Sequence, residues 1–246
     1  VYETYEMKAT VIGLIKDNKF VHELDDYGMI IFDKTCFYAE SGGQVSDTGV
    51  IVKDGFKATV LDVLKAPNGQ HIHTIKVNYG TIKLDDLADL IVDKERRLKI
   101  ENNHSTVHIL QLALQKIIDK DIYQVGSKVC DTYLRFDFNY HGKITDEELI
   151  KVENFVNDYI KKNYQRQTTI KNFSDIDSNE VMALFGSKYK DKVRLVEIGD
   201  SKELCGGCHV KNTGVIEKFA ILSFENKGSN TYRITGATGA TIESGL

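Results

Sequence analysis

Residues 93–120 read DKERRLKIENNHSTVHILQLALQKIIDK. The stretch holds no glycine or proline, and Leu98, Val107, Leu110, Leu114 and Ile117 recur at helical spacing, which predicts one long amphipathic helix. The sequence before it has another rhythm. From Tyr5 to about Ile91 short β-rich runs follow one another, KATVIGLI, GMIIFD, TGVIV, KATVLDVL and HIHTIKVN, punctuated by KDN, DDYG, KDG and PNG. Such a string predicts a small β-barrel or sandwich. The hydrophobic period changes from two to about 3.6 residues near residue 92, which places a boundary there between one domain at 1–92 and another at 93–246.

After the long helix, SKVCDTYLRFDFNY reads as one or two strands, and ITDEELIKVENFVNDYIKKN predicts a second helix. Thr145 and Glu148 stand at capping-box spacing, and Ile150, Val152, Phe155, Val156, Tyr159 and Ile160 supply an apolar face. A strand-like QTTIKNF, a short helix around SNEVMALFG, the strand KVRLVEIG, the loop ELCGGCHV and the strands FAILSFENKG and TYRITGATG complete the chain. Helices and strands segregate rather than alternate, so this half is expected to be α+β with an antiparallel sheet.

Composition narrows the function classes. Of the 246 residues 41% are apolar and 28% charged, and no apolar run approaches a membrane span in length. A net charge of −4 excludes a protein that coats long stretches of nucleic acid, because displacing counterions needs a broad basic surface. Four cysteines, two of them three positions apart, fit a reducing compartment with thiols available for metal, and the cytoplasm is expected. The chain opens on Val1 and not on Met, which is read as a fragment of a longer protein. Within the first half, FYAESGGQVSDTG (37–49) places Gly42 and Gly43 in what a tight turn alone would explain, with Ser41 and Gln44 available to present polar groups at a surface.

The chemistry concentrates in two short stretches. His104 and His108 lie four apart on the long helix, on one face and about 6 Å apart along its axis. Cys205 and His209 repeat the four-residue offset in CGGCH, where two glycines let the backbone fold tightly. Together they offer nitrogen and sulfur donors suited to zinc. A redox pair of Cys205 and Cys208 is disfavoured, because such pairs open a helix in a βαβ pattern and this loop runs on into VKNTG. Four donors leave open whether the zinc is structural, with a closed shell, or catalytic, with a position for water.

The ordered motifs FYAESGGQVSDTG, VDKERRLKIENNHSTVHIL, GSKVCDTYLRFDF, ALFGSKYKDKVRLVEIG and ELCGGCHVKNTGVIEKFAILSF resemble the editing region of alanyl-tRNA synthetase, found also in free-standing alanyl-tRNA editing proteins. The resemblance covers almost the whole chain. It implies an α+β fold class, with an N-terminal small β-barrel carrying the glycine motif, followed by an α+β domain with an antiparallel sheet and a long ligand-bearing helix. It implies hydrolytic editing of mischarged tRNA(Ala), zinc on His104, His108, Cys205 and His209, and Gln124 near a position that lines the amino-acid pocket. Other domains of a longer parent synthetase, including an ATP-dependent one, are implied as well. Where the family usually has CGGTH this chain has Cys208, and where it often has proline before FYAESGGQ this chain has Cys36.

Of the two substrates implied, seryl- and glycyl-tRNA(Ala), the seryl one is told from the correct product by polar groups that pair with the serine hydroxyl and that alanine would leave unpaired. Thr106, between the two helix histidines, and Gln124 are the candidates, though a helix threonine also bonds back to its own helix. For the tRNA acceptor end, Arg96, Arg97 and Lys99 are candidate phosphate contacts, with Lys188–Lys192 as a further basic run.

Overall fold

In β1 (Glu6–Lys16) the buried side chains fall on Ala9 and Val11 and then, after a register shift between Val11 and Gly13, on Leu14. The bulge inserts one residue, so the inward parity changes from odd to even without turning the strand inside out. The same device recurs in β6 (Phe56–Lys65), where Phe56, Ala58 and Val60 point inward before the shift at Val60/Asp62, and Val63 after it. The computed structural model to which these strands belong describes residues 3–177, 181 and 191–243. It divides into two units, Val1–Arg97 and Leu98–Leu246.

The first unit also holds β2 (Lys19–Phe20), β3 (Glu23–Leu24), β4 (Tyr27–Phe32), β5 (Gly49–Lys53), β7 (His71–Tyr79), β8 (Ile82–Lys83) and β9 (Leu87–Val92). Six of its strands run in the order β1-β4-β7-β6-β5-β9, every pair antiparallel, and β9 pairs back onto β1. The sheet is therefore a closed barrel, which leaves no open edge. Phe37, Phe56, Ile30, Ile51 and Ile75 fill its interior.

The 37–49 loop is pinned. Ser41 and Gln44 form an isolated bridge around Gly42 and Gly43, whose φ values of 59° and 85° suit a two-residue hairpin turn that residues with a side chain rarely adopt. Ser41 is exposed, as expected, but Gln44 is fully buried and presents nothing to solvent. Asp47 accepts from the backbone N–H of Tyr38 at 2.8 Å and from Nε of Arg97 at 3.0 Å. Ser46 donates to Asp62 at 2.8 Å.

The long helix is α1 (Lys94–Ile117), and Asp93 caps it by accepting from the N–H of Arg96 at 3.1 Å. Val107, Leu110 and Leu114 are buried as the periodicity predicts, whereas Leu98 is 42% exposed. β10 (Gln124–Val129), β11 (Leu134–Asn139), β15 (Phe219–Gly228) and β16 (Thr231–Thr238) form an antiparallel sheet in the order β10-β11-β16-β15. The alternation of Leu134, Phe136 and Phe138 buries one face of β11. α2 (Asp146–Lys161) opens with the expected capping box and docks on β15, where Asn157 accepts from Phe219 N–H at 2.8 Å and Glu153 from Ile221 N–H at 2.9 Å. Its buried face is centred on Leu149, Val152, Val156, Tyr159 and Ile160, and Ile150, one step of about 100° round from Leu149, is 45% exposed.

A second sheet, β12-β13-β14, comprises β12 (Arg166–Asn172), β13 (Lys192–Ile198) and β14 (Ser201–Leu204), and it delivers the chain to the cysteine loop. Apart from Val181, the short helix expected around 178–186 lies outside the described residues, as do positions 188–190 of the basic run. Among the described residues no helix is long and apolar enough to cross a membrane.

Candidate metal centre

One turn of α1 carries His104 and His108 with their ring centroids 5.4 Å apart. Cys205 and His209 lie on the loop that follows β14. Gly206 and Gly207 do not use positive φ, so the tightness of this loop has another source than the one their identity suggests. Its carbonyls are tied down by guanidinium groups: Arg194 of β13 donates to Cys205 O at 3.1 Å and Gly207 O at 2.7 Å, and Arg166 of β12 donates to His209 O at 2.8 Å. Irregular backbone needs such partners when it is removed from water.

One donor atom from each of His104, His108, Cys205 and His209 lies within 4.8 Å of the others. Sγ of Cys205 stands 3.5 Å from Nε2 of His104 and 3.3 Å from Nε2 of His209. A tetrahedral zinc with sulfur at about 2.3 Å and nitrogen at about 2.05 Å would set these two donors about 3.6 Å apart, so the spacing suits that ion. The ring of His209 stands 4.3 Å from those of both His104 and His108. The three histidines are 6%, 4% and 1% exposed for His104, His108 and His209.

Burial fixes the protonation that ligation requires. It lowers His104 to about 4 and holds His108 and His209 well below the usual histidine range, so all three stay neutral with a lone pair to give. Burial also pushes the Cys205 thiol up to about 12. A cation among these donors would be the counter-charge that favours the thiolate. Cys208 is fully buried and outside the four-donor group, and no disulfide joins any of the four cysteines.

Comparison with known proteins bears on the same residues. Residues 1–96 match the family model described as tRNA synthetases class II (A), and residues 193–235, which include Cys205 and His209, match the Threonyl and Alanyl tRNA synthetase second additional domain. Over 241 residues the sequence is 43% identical to the alanine–tRNA ligase of Geobacillus kaustophilus, 43% to that of Geobacillus thermodenitrificans and 40% to that of Bacillus cereus. Over almost its whole length the chain is similar to a stretch of the alanyl-tRNA synthetases. These alignments cover 97% of this chain and 27% of the length of each ligase.

Other side chains surround the centre. Glu203 Oε2 lies 3.0 Å from Nδ1 of His108, which leaves Nε2 of that ring to face the other donors. Gln111 donates to Glu203 Oε1 at 3.3 Å and accepts the backbone N–H of Gln124 at 3.1 Å, so Gln124 is joined to the centre through two side chains. Burial raises Glu203 to about 8. Ser105 Oγ lies 3.0 Å from Nδ1 of His209. Sequence reasoning missed Glu203, Ser105, Arg194 and Arg166. For Glu203 a signal existed, because strand alternation aims residues 203 and 205 the same way.

The remaining candidates separate. Gln124 is half-buried at the start of β10 and donates to Ser127 Oγ at 2.8 Å. Thr106 is not brought to the donor cluster: it lies about 200° round the helix from His104, fully buried, with its hydroxyl donating to Asn102 O at 2.7 Å. Arg97 is corrected. It is 0% exposed, with its guanidinium on Asp47, Cys36 O and Thr4 O, and it offers nothing to a phosphate. Arg96 is half-buried and donates to Ser46 O at 2.8 Å, while Lys99 is exposed.

Proposed function

We propose that this chain is an aminoacyl-tRNA deacylase that edits mischarged tRNA(Ala), releasing serine or glycine at a zinc ion held by His104, His108, Cys205 and His209. The observation that carries the reading is the convergence of these four donors in a chain alignable over 97% of its length with alanine–tRNA ligases. The need for such a site is physical. A pocket sized for alanine excludes serine poorly, since serine only adds a hydroxyl, so a second hydrolytic site must reject it.

When bound, zinc supplies Lewis acidity, either to a water molecule or to the ester carbonyl. The residues of the chain do the rest. His104 and His108 come from a rigid helix and Cys205 and His209 from a loop braced by Arg194 and Arg166, so the donors are held before any ligand arrives. Gln124, tied to the centre through Gln111 and Glu203, is the candidate to read the serine hydroxyl, because Thr106 spends its own on Asn102. Arg96 and Lys99 are the candidate contacts for the acceptor end. The chain would act within a longer cytoplasmic ligase whose other parts carry aminoacylation.

A second reading has its own support. Four protein donors can fill a tetrahedral shell, and three of them are nearly sealed from water, as in a structural zinc module that only docks tRNA or a neighbouring domain. Metal analysis together with a seryl-tRNA(Ala) deacylation assay separates the two. Both contain zinc, and only the editing enzyme releases serine; a zinc-loaded chain without turnover would sink the first reading.

A further inference from the structure

Ser105 was singled out by neither the motifs nor the comparisons, yet it is fully buried between the two helix histidines and reaches across 104 residues to the loop. Its Oγ lies 3.0 Å from Nδ1 of His209 and accepts the backbone N–H of Val210 at 3.0 Å. On the far side of the same ring, Nε2 of His209 stands 3.3 Å from Sγ of Cys205, inside the donor cluster. The imidazole is therefore gripped at both nitrogens.

We propose that Ser105 is the positioning residue that selects the metal-binding tautomer of His209, an inference that rests on the zinc reading above. A hydroxyl oxygen has two lone pairs. One takes the Val210 N–H and the other takes the Nδ1–H of His209, which leaves the lone pair of Nε2 aimed at the cluster. The hydroxyl hydrogen then turns toward a carbonyl of the preceding helical turn, as helix serines do. Without metal the same atoms serve the opposite arrangement: the Ser105 hydroxyl donates to Nδ1, and Nε2–H points at the Cys205 sulfur. Between the two states Nε2 gives its proton to water and Nδ1 takes one from water, so the ring stays neutral in both, while the Cys205 thiol proton leaves to water when a metal is bound. A carbonyl or an ionised carboxylate could not do this, because neither can donate. The same hydroxyl fixes the rim of the loop through Val210, so ring orientation and loop position are set by one atom.

The test uses this 246-residue chain with zinc and with cobalt(II) as probes. Nitrogen-15 NMR of histidine-labelled protein reports the tautomer of each ring, and His209 is expected to carry Nδ1–H when zinc is bound and Nε2–H after chelation. Zinc affinity, measured by competition with a chromophoric chelator, is expected to fall roughly 10- to 100-fold in Ser105→Ala and to be largely kept in Ser105→Thr, which retains the hydroxyl. The cobalt(II) spectrum of Ser105→Ala is expected to change with it. A zinc-bound His209 protonated at Nε2 overturns the proposal, and so do equal affinities for the alanine and threonine variants. Failure of the unaltered chain to bind zinc at all overturns the zinc reading itself. The NMR arm needs no variant and stands even where Ser105→Ala does not fold.

Discussion

Asp47 and Arg97, fifty residues apart, form a buried ion pair in which the carboxylate of the glycine-motif loop closes over a guanidinium from the first turn of α1. The side chains are 1% and 0% exposed, and Arg97 adds the carbonyls of Cys36 and Thr4 to its partners. Breaking such a pair from one side leaves a charge without compensation in a low-dielectric setting. Asp47→Ala is therefore expected to destabilise the first unit by roughly 3–5 kcal/mol, read as a fall in the denaturant midpoint. A loss below about 1 kcal/mol would mean that the pair is open to water in solution.

The same burial divides the basic cluster of α1. Lys99, exposed on the helix, is expected to lower tRNA affinity when replaced by alanine and to reduce the slope of log affinity against log salt by about one unit. Arg97→Ala should instead lower folding stability and leave that slope unchanged in whatever protein remains folded. Filter binding at a series of salt concentrations separates the two, and an unchanged slope for Lys99→Ala removes it from the phosphate contacts.

These residues also mark how far the sequence was legible. The helix α1 and the strands of the barrel announced themselves because burial imposes a period on the chain, and Ala88, Leu90 and Val92 of β9 carry the same alternation although that closing strand had not been singled out. The four residues of the candidate metal cluster were legible as two half-motifs, since each half has a spacing that a shared ion would need. Arg97 was misread because DKERR looks like a solvated turn unless Asp47, far upstream, is known to meet it. Ser105 and Glu203 escaped for a related reason: their partners, His209 and His108, are brought to them only by the fold. Leu98 and Ile150 show the limit of periodicity itself, which predicts an apolar stripe but not where its edge falls.

At the centre, His104→Ala and Cys205→Ala are each expected to abolish seryl-tRNA(Ala) deacylation and to lower the zinc content of the purified chain. Each deletes one of four donors in a spacing that leaves no replacement among the described residues except Cys208, which is buried outside the group. Adding zinc to chelated wild-type protein should restore activity and should not restore it to Cys205→Ala. Full deacylation by a metal-free His104→Ala/Cys205→Ala double variant would separate hydrolysis from the metal altogether.

In the barrel, His73 predicts an acid limit that does not depend on metal. It is fully buried in β7, with Nδ1 placed to donate to Ile30 O at 3.0 Å and Nε2 to accept from Thr35 Oγ1 at 2.8 Å, an arrangement that only the neutral ring satisfies. Burial lowers it from 6.5 to about 4. A folded-state value below the unfolded one means that the unfolded chain binds the proton first. The stabilisation from keeping this ring neutral is therefore complete above pH about 6.5 and is lost as the pH falls toward 4, on the order of 3 kcal/mol in all. The Thr35 hydroxyl also accepts the N–H of Phe37, so protonating His73 would disturb the entry to the glycine-motif loop as well as the barrel core. Equilibrium unfolding of the barrel between pH 7 and 4 should show this slope, and His73→Gln should flatten it while lowering stability at pH 7. A wild-type slope unchanged by that substitution would assign the acid sensitivity to other groups.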